Sequence, residues 1–435
     1  MLSMTETITI DSLAYGGDGV GRLNDRVVFV PGGFPQDRLS ISIEQDKGTY
    51  LKGKLVDILS PSPDRVEPFC PLAARCGGCQ WQHLSYPAQL HWKRMIVEES
   101  LRRIGGLGTV QVEPCIPSPA DRGYRSVVRF PAHKTPEGCI WGYYERLSHR
   151  IVDVIECPVA GRGVNEISRY LRGAVHDLRP LPSLTEITIR ASHTLISPLV
   201  SITTADQYDF TRLAGRMLSD IPGLAGVSIW RDDKRGRQVF DRVYGARHRY
   251  EIIAGTSFRI HECSFFQINT LQAETLAALV KDMACPEPSG TLIDAYGGVG
   301  LFSLTTAPVN TPVTLFDNSE TAVEDSRCNA ETKGMRAFEA WCGDAVEALA
   351  KIHSTDLLIA DPPRTGLGRR AVASACALGS PTIIYISCNP ATLARDCKIF
   401  TEKGYTVERV VPVDMFPHTY HIETVVKMRK ASAKV

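Results

Sequence analysis

The sequence predicts a multi-domain α/β protein, with a small β-barrel at its start, a mixed α+β middle and a doubly wound sheet over its last third. Residues 7–59 alternate apolar and polar positions between the glycine turns Gly16-Gly17 and Gly32-Gly33, the pattern of short, half-buried strands. After Cys263 strand-like and helix-like segments alternate, which argues for a parallel sheet covered on both faces. At 435 residues the chain is too long for one core. The expected division is 1–60, 61–255 and 256–435.

In the first part, the runs 8–10, 26–30, 39–43 and 54–58 give four or five strands and hence a barrel. Pro61-Ser62-Pro63 reads as a linker. A cysteine-rich turn from Cys70 to Cys79 follows, then a helix over 86–104, expected to dock on the last third of the chain. The middle reads as strands with few helices: 127–131, 140–144, 151–154, 186–191 and 227–230.

The final part reads as helix 269–283, strand 292–294, helix 300–306, strand 313–317, helix 320–333, strand 357–361 and strand 383–387. Its first strand runs into Tyr296-Gly297-Gly298-Val299-Gly300. Glycines there let the backbone approach a ligand at the carboxyl edge of the sheet. The spacing is not Gly-x-Gly-x-x-Gly, and no Gly-Lys-Ser/Thr is present, which speaks against a dinucleotide or an ATP phosphate loop. Asp317 ends the next strand, where a carboxylate suits two ribose hydroxyls, and Asp344 follows a third.

Composition excludes some classes. A 43% hydrophobic and 22% charged chain is that of a water-soluble globular protein. The sequence shows no signal peptide or bilayer-length apolar run, so a cytoplasmic protein without a membrane partner is expected. The net charge of +1 does not suggest nucleic-acid binding by bulk charge. Locally, Arg231, Lys234, Arg235, Arg237, Arg242, Arg247 and Arg249 outnumber Asp232, Asp233 and Asp241. That stretch could meet phosphates, or be a solvated hairpin.

The 13 cysteines are too unevenly spread for a disulfide frame. Cys70, Cys76 and Cys79, with Cys157 in Glu156-Cys157-Pro158, suit either a structural zinc or an iron–sulfur cluster. Cys388 follows an apolar strand in Ser387-Cys388-Asn389-Pro390 and is a candidate nucleophile, with Glu423 a candidate base. Asp361, in Asp361-Pro362-Pro363-Arg364, is held at the sheet edge by two prolines. Phe265-Phe266-Gln267 offers an aromatic face and an amide, or an ordinary packed pair.

Taken together, these motifs resemble the RNA uracil-5-methyltransferase family, in its iron–sulfur-containing 23S rRNA branch. The resemblance runs almost end to end. It includes Gly123-Tyr124-Arg125, Asp361-Pro362-Pro363-Arg364, the run from Ser387-Cys388-Asn389-Pro390 to Asp396, and the tail from Asp414-Met415-Phe416-Pro417 to Glu423-Thr424. It implies a TRAM-type oligonucleotide-binding barrel, a central domain with a four-iron, four-sulfur cluster on Cys70, Cys76, Cys79 and Cys157, and a Rossmann-like methyltransferase domain. It implies S-adenosylmethionine as cofactor and RNA as partner, 23S rRNA before tRNA, for a monomeric enzyme. It also implies Cys388 as nucleophile toward uracil C6 and Glu423 as the base removing the C5 proton. Gln267, Tyr296, Asp317, Asp344 and Asp361 would line the shared pocket, with Phe265 stacking on the base.

The chain departs from the family in three places. Gly297 replaces a cysteine, Leu301 stands where many members have asparagine, and Asp317 is shorter than the usual glutamate. The last two bear on cofactor affinity. Two rivals are a radical enzyme, opposed by the fourth thiol and the separate nucleophile, and a non-catalytic ribosome-assembly factor.

Overall fold

The computed structural model describes residues 5–136, 138–192, 197–285 and 290–431. Strands β1 (Thr5–Leu13), β2 (Gly19–Leu23), β3 (Arg26–Val30), β4 (Arg38–Asp46) and β5 (Tyr50–Ser60) close a barrel in the order β1-β2-β3-β5-β4. Alternation turns Ile8, Ile10, Val28, Val30, Leu39 and Ile41 into its core. The expected linker is clamped to this barrel. Buried Asp37 accepts the Ser62 N–H at 2.8 Å and the Arg65 guanidinium at 2.6 Å. A carboxylate with no solvent access needs such partners, and they fix the exit from β5.

Helix α1 (Tyr86–Ser100) ends in a widened turn over Leu101–Gly105. Its Ile96, Val97 and Leu101 share one core with Leu13 and Phe34 of the barrel and with Leu393, Ala394 and Phe400 from the C-terminal part. Lys93 Nζ meets Asp414 Oδ1 at 2.5 Å, both side chains having no exposure.

The middle holds β6 (Val127–Thr135), β7 (Gly138–Tyr144), β8 (Ile151–Asp153), helix α2 (Arg162–His176), β9 (Leu184–Arg190), β10 (Leu199–Thr204), helix α3 (Thr211–Asp220), β11 (Gly226–Asp232) and β12 (Gln238–Gly245). These strands form one sheet in the order β12-β11-β10-β9-β6-β7-β8, with α2 and α3 packed on it. A hairpin of β13 (His248–Ile253) and β14 (Thr256–His261) follows.

The last part is α4 (Thr270–Ala284), β15 (Leu292–Ala295), α5 (Leu301–Thr306), β16 (Val313–Asp317), α6 (Glu320–Lys333), β17 (Phe338–Cys342), α7 (Ala345–Leu349), β18 (Leu357–Ala360), α8 (Gly368–Ala377), β19 (Thr382–Ser387), α9 (Pro390–Glu402), β20 (Tyr405–Val413) and β21 (Glu423–Lys430). The sheet order is β17-β16-β15-β18-β19-β21-β20. It is not wholly parallel as the sequence predicts, because β21 runs antiparallel to both β19 and β20. The connection 414–422 is too short for a crossover, so the chain must return antiparallel. The strand order reverses between β15 and β18, and ligands of doubly wound sheets bind at the carboxyl ends beside such a reversal.

Candidate active site

The turn leaving β15 lies at that reversal. Tyr296, Gly298 and Gly300 have φ of 64°, 56° and 89°, backbone that glycine adopts without strain and tyrosine rarely does. A Cβ on Gly297 would lie 2.6 Å from Leu315 Cδ1, so the family's cysteine would not fit this packing unchanged. Asp317 holds the turn: one oxygen accepts the Gly298 N–H at 2.9 Å, the other the Ser319 N–H at 2.8 Å. Asp294 beneath it has no exposure. Its Oδ2 accepts the Ser303 N–H, while Oδ1 has no partner among the described residues. Burial pushes its carboxyl up to about 6.

Asp344 caps α7, its Oδ1 accepting the Val346 and Glu347 N–H groups at 2.9 and 3.1 Å. The Tyr296 phenol is held above its ordinary range by burial and by the Asp344 and Asp396 carboxylates. Leu301 is buried at the first position of α5. Tyr296, Asp317, Asp344 and Asp361 thus lie along one edge of the sheet, at or just beyond the ends of β15, β16, β17 and β18.

Cys388 leaves the sheet immediately after Ser387, which pairs with Thr424 in the β19–β21 ladder. Glu423 directly precedes that Thr424 at the start of β21. Burial pushes the Cys388 thiol up to about 11, helped by the Glu423 and Asp361 carboxyls and opposed by Arg364. Glu423 is 5% exposed, and its Oε1 has no partner among the described residues. Burial, then Asp361, raises its carboxyl well above the ordinary range, again against Arg364. Asp361 is pushed up to about 7 by burial and then by Asp294 and Asp317. One pocket thus holds several acids that cannot all be charged together.

Of the aromatic pair, Phe266 is 5% exposed and packs in the core, while Phe265 is 70% exposed. Gln267 beside them is buried. Three further residues reach the pocket. The Arg364 carbonyl accepts from Asn389 Nδ2 at 3.1 Å, pinning its loop to the start of α9. His421 is driven down to about 4 by burial and the nearby positive charges, Arg364 first. Tyr15 comes from the barrel, its hydroxyl donating to the Cys388 carbonyl at 2.8 Å. Arg364 stands in a motif legible in the sequence. Tyr15, 373 positions away from its partner, has no sequence signal.

Cys70, Cys76, Cys79 and Cys157 line one small cavity with Leu72, Tyr143, Val154 and Arg125. The Gly78 N–H points at Cys76 Sγ at 3.4 Å, and the Val159 and Ala160 N–H groups bond to Cys157. Among the described residues, no three Cys, His, Asp or Glu side chains are grouped to hold a single metal ion. A tetrahedral zinc would need sulfur–sulfur separations of ~3.8 Å.

Four of the seven Lys and Arg side chains between Trp230 and Tyr250 are paired with acids. Arg231 pairs with Asp241 at 2.9 Å, Arg237 with Asp233 at 2.7 Å and Arg247 with Glu262 at 2.5 Å, and buried Arg249 pairs with Glu251. A groove of about 780 Å³ lies between the barrel and the β7–β8 hairpin. Phe29, Lys52, Tyr144, Arg146, His149 and Tyr420 line it. The Tyr420 ring meets Tyr15 edge-on at 5.8 Å, joining the groove to the Cys388 corner. No helix among the described residues is long and apolar enough to cross a membrane.

Residues 332–431 match the tRNA (Uracil-5-)-methyltransferase family, and residues 3–56 match the TRAM domain. An uncharacterized RNA methyltransferase of Thermosynechococcus vestitus is 34% identical, with 97% of each chain aligned. Another, from Gloeobacter violaceus, is 35% identical over 98% of this chain and 97% of its own. The structure of Pyrococcus abyssi tRNA (uracil-54, C5)-methyltransferase in complex with S-adenosyl-L-homocysteine is 28% identical. It has a TM-score of 0.77 and covers 98% of this chain and 100% of its own.

Proposed function

Because the chain belongs to the RNA methyltransferases of the uracil-5 family, we propose that it methylates C5 of a uridine in 23S rRNA through a covalent Cys388 adduct. The observation that carries this reading is the meeting of Cys388 and Glu423 at the end of the β19–β21 ladder, beside Asp361. S-adenosylmethionine, when bound, supplies an electrophilic methyl group. The Tyr296–Gly300 turn, Asp317 and Asp344 would hold it, and the unpaired Asp294 Oδ1 beneath the turn fits a polar ligand there.

Cys388 Sγ adds to uracil C6, forming the S–C6 bond and moving electron density toward O4 and C5. Arg364 favours the thiolate this step requires. C5 then takes the methyl group, and Glu423 removes the C5 proton. Those electrons restore the C5–C6 double bond as the S–C6 bond breaks, returning the thiolate. Gln267 and Asp361 meet the polar edge of the uracil, and exposed Phe265 stacks on a base turned out of the RNA.

The barrel groove supports an RNA substrate, since the rings of Phe29, Tyr144 and Tyr420 and the basic groups of Lys52 and Arg146 line it, beside the acids Asp18, Glu44 and Glu145. A four-iron, four-sulfur cluster on Cys70, Cys76, Cys79 and Cys157 is part of the proposal. Four thiols around one cavity, with backbone N–H groups directed at sulfur, suit a cluster wider than one ion. It would tie the chain near Cys70 to Cys157, taking no part in methyl transfer itself. A tRNA uridine is the second reading, favoured by the likeness to the Pyrococcus abyssi enzyme.

Incubation with labelled S-adenosylmethionine and two unmodified transcripts, 23S rRNA and tRNA, tests both readings. 5-Methyluridine in the rRNA alone supports the first, and in the tRNA alone the second. No 5-methyluridine in either, with the cofactor bound, points to an assembly factor.

A further inference from the structure

The first loop of the barrel reaches the nucleophile. It is a tight turn, with Ala14 N–H bonded to Asp18 O at 2.9 Å and Gly17 N–H to Ala14 O at 3.0 Å. Fully buried Trp81 donates its Nε1–H to Gly17 O at 3.3 Å, and Arg146 pairs with Asp18 at 3.4 Å. At Gly17, with φ of 92°, a Cβ would lie 3.1 Å from the Tyr420 ring, so the loop sits tightly against the segment leading to Glu423. From this braced turn the half-buried Tyr15 side chain extends to Cys388.

The bond falls at a sensitive point. Ser387 makes the last rung of β19, and Asn389 caps α9, so the Cys388 carbonyl belongs to neither the ladder nor the helix. A backbone carbonyl left between two elements needs a partner of its own, and Tyr15 supplies it at the residue that carries the thiol. Burial pushes the Tyr15 phenol up to about 12, so it remains a neutral donor at working pH.

We propose that Tyr15 is a positioning residue, through which the barrel sets the orientation of the Cys388 peptide and hence of the attacking sulfur. The catalytic part of this inference rests on the reaction proposed above; the orientation of the thiol does not. A barrel that served RNA alone would need only the groove. The Tyr15 contact makes it part of the reaction centre as well.

The test is Tyr15→Phe in the full-length protein, which removes one oxygen and keeps the ring against Tyr420. Carbamidomethylation of Cys388 by iodoacetamide, followed by peptide mass spectrometry without RNA, is expected to change in rate by about threefold or more. In turnover, kcat is expected to fall on the order of tenfold while the KM for RNA stays within about twofold. Equal alkylation rates would overturn the proposal, as would a rise in KM with kcat unchanged, which marks a barrel that only grips RNA. A parent protein that makes no 5-methyluridine would sink the proposed reaction instead, and the alkylation rates would still decide the role of Tyr15.

Discussion

Cys388 and Glu423 flank the Ser387–Thr424 rung at the end of the β19–β21 ladder, near enough that, beyond burial, the Glu423 carboxyl raises the Cys388 thiol. The antiparallel return of β21 creates this pairing, because a parallel strand there would bring its other end to Cys388. A nucleophile and a base on adjacent strands can act on C6 and C5 of one ring.

Glu423→Gln should methylate the uracil and then stall, with protein still bonded to RNA. Removal of a positioned base slows release by about 10²–10⁴-fold. The Glu423 carboxyl lies well above its ordinary range. The parent's release rate should therefore climb with pH through a region above that of free carboxylic acids, and the variant should lose this limb. Rapid-quench sampling of the protein–RNA adduct measures both; a variant that releases product at the parent rate would remove Glu423 from the mechanism.

Asp361→Asn should stabilise the free protein at about pH 8. The folded state binds the Asp361 proton more tightly than the unfolded chain does, its carboxyl being pushed up to about 7 by burial. That contribution is complete below the unfolded value of about 3.9 and is lost as pH rises through about 7. The gain at about pH 8 should be at most about 4 kcal/mol, shrinking toward zero near pH 4. Urea unfolding at the two pH values checks this, and an equal loss at both would contradict it.

Lys93→Met should cost about 3–5 kcal/mol, because it strands the buried Asp414 carboxylate. The double variant Lys93→Met, Asp414→Leu should recover most of that loss. If the single and double variants unfold at the same urea concentration, the pair is not what holds α1 to the C-terminal sheet.

Cys157→Ser should lower the iron and acid-labile sulfide of anaerobically purified protein from about four of each per chain. A parent protein carrying one zinc and no sulfide would contradict the cluster.

What the sequence revealed follows from what is local. Helix α6 is legible to the residue because Ser319 caps its start and Gly334 its end. The apolar face of α2 repeats at helical spacing through Val164, Ile167, Leu171 and Val175, but its N-cap is Gly161, which has no side chain to signal a start. The arginines after Trp230 look free in sequence, yet Arg247 pairs with Glu262 and Arg249 with Glu251 on the β13–β14 hairpin or just beyond it. The motifs around Cys388 and Glu423 mark the site. That Tyr15 joins it depends on how a barrel at the other end of the chain docks, which no local pattern encodes.

In the proposed reaction Cys388 attacks C6 and the C5 proton must then be lost. RNA with 5-fluorouridine at the target position tests both at once, because fluorine leaves no C5 proton to remove. With S-adenosylmethionine present, a stable protein–RNA adduct should form, map by peptide mass spectrometry to Cys388 and vanish in Cys388→Ala. An adduct on another residue, or turnover of unmodified RNA with no trapped adduct, would contradict the mechanism.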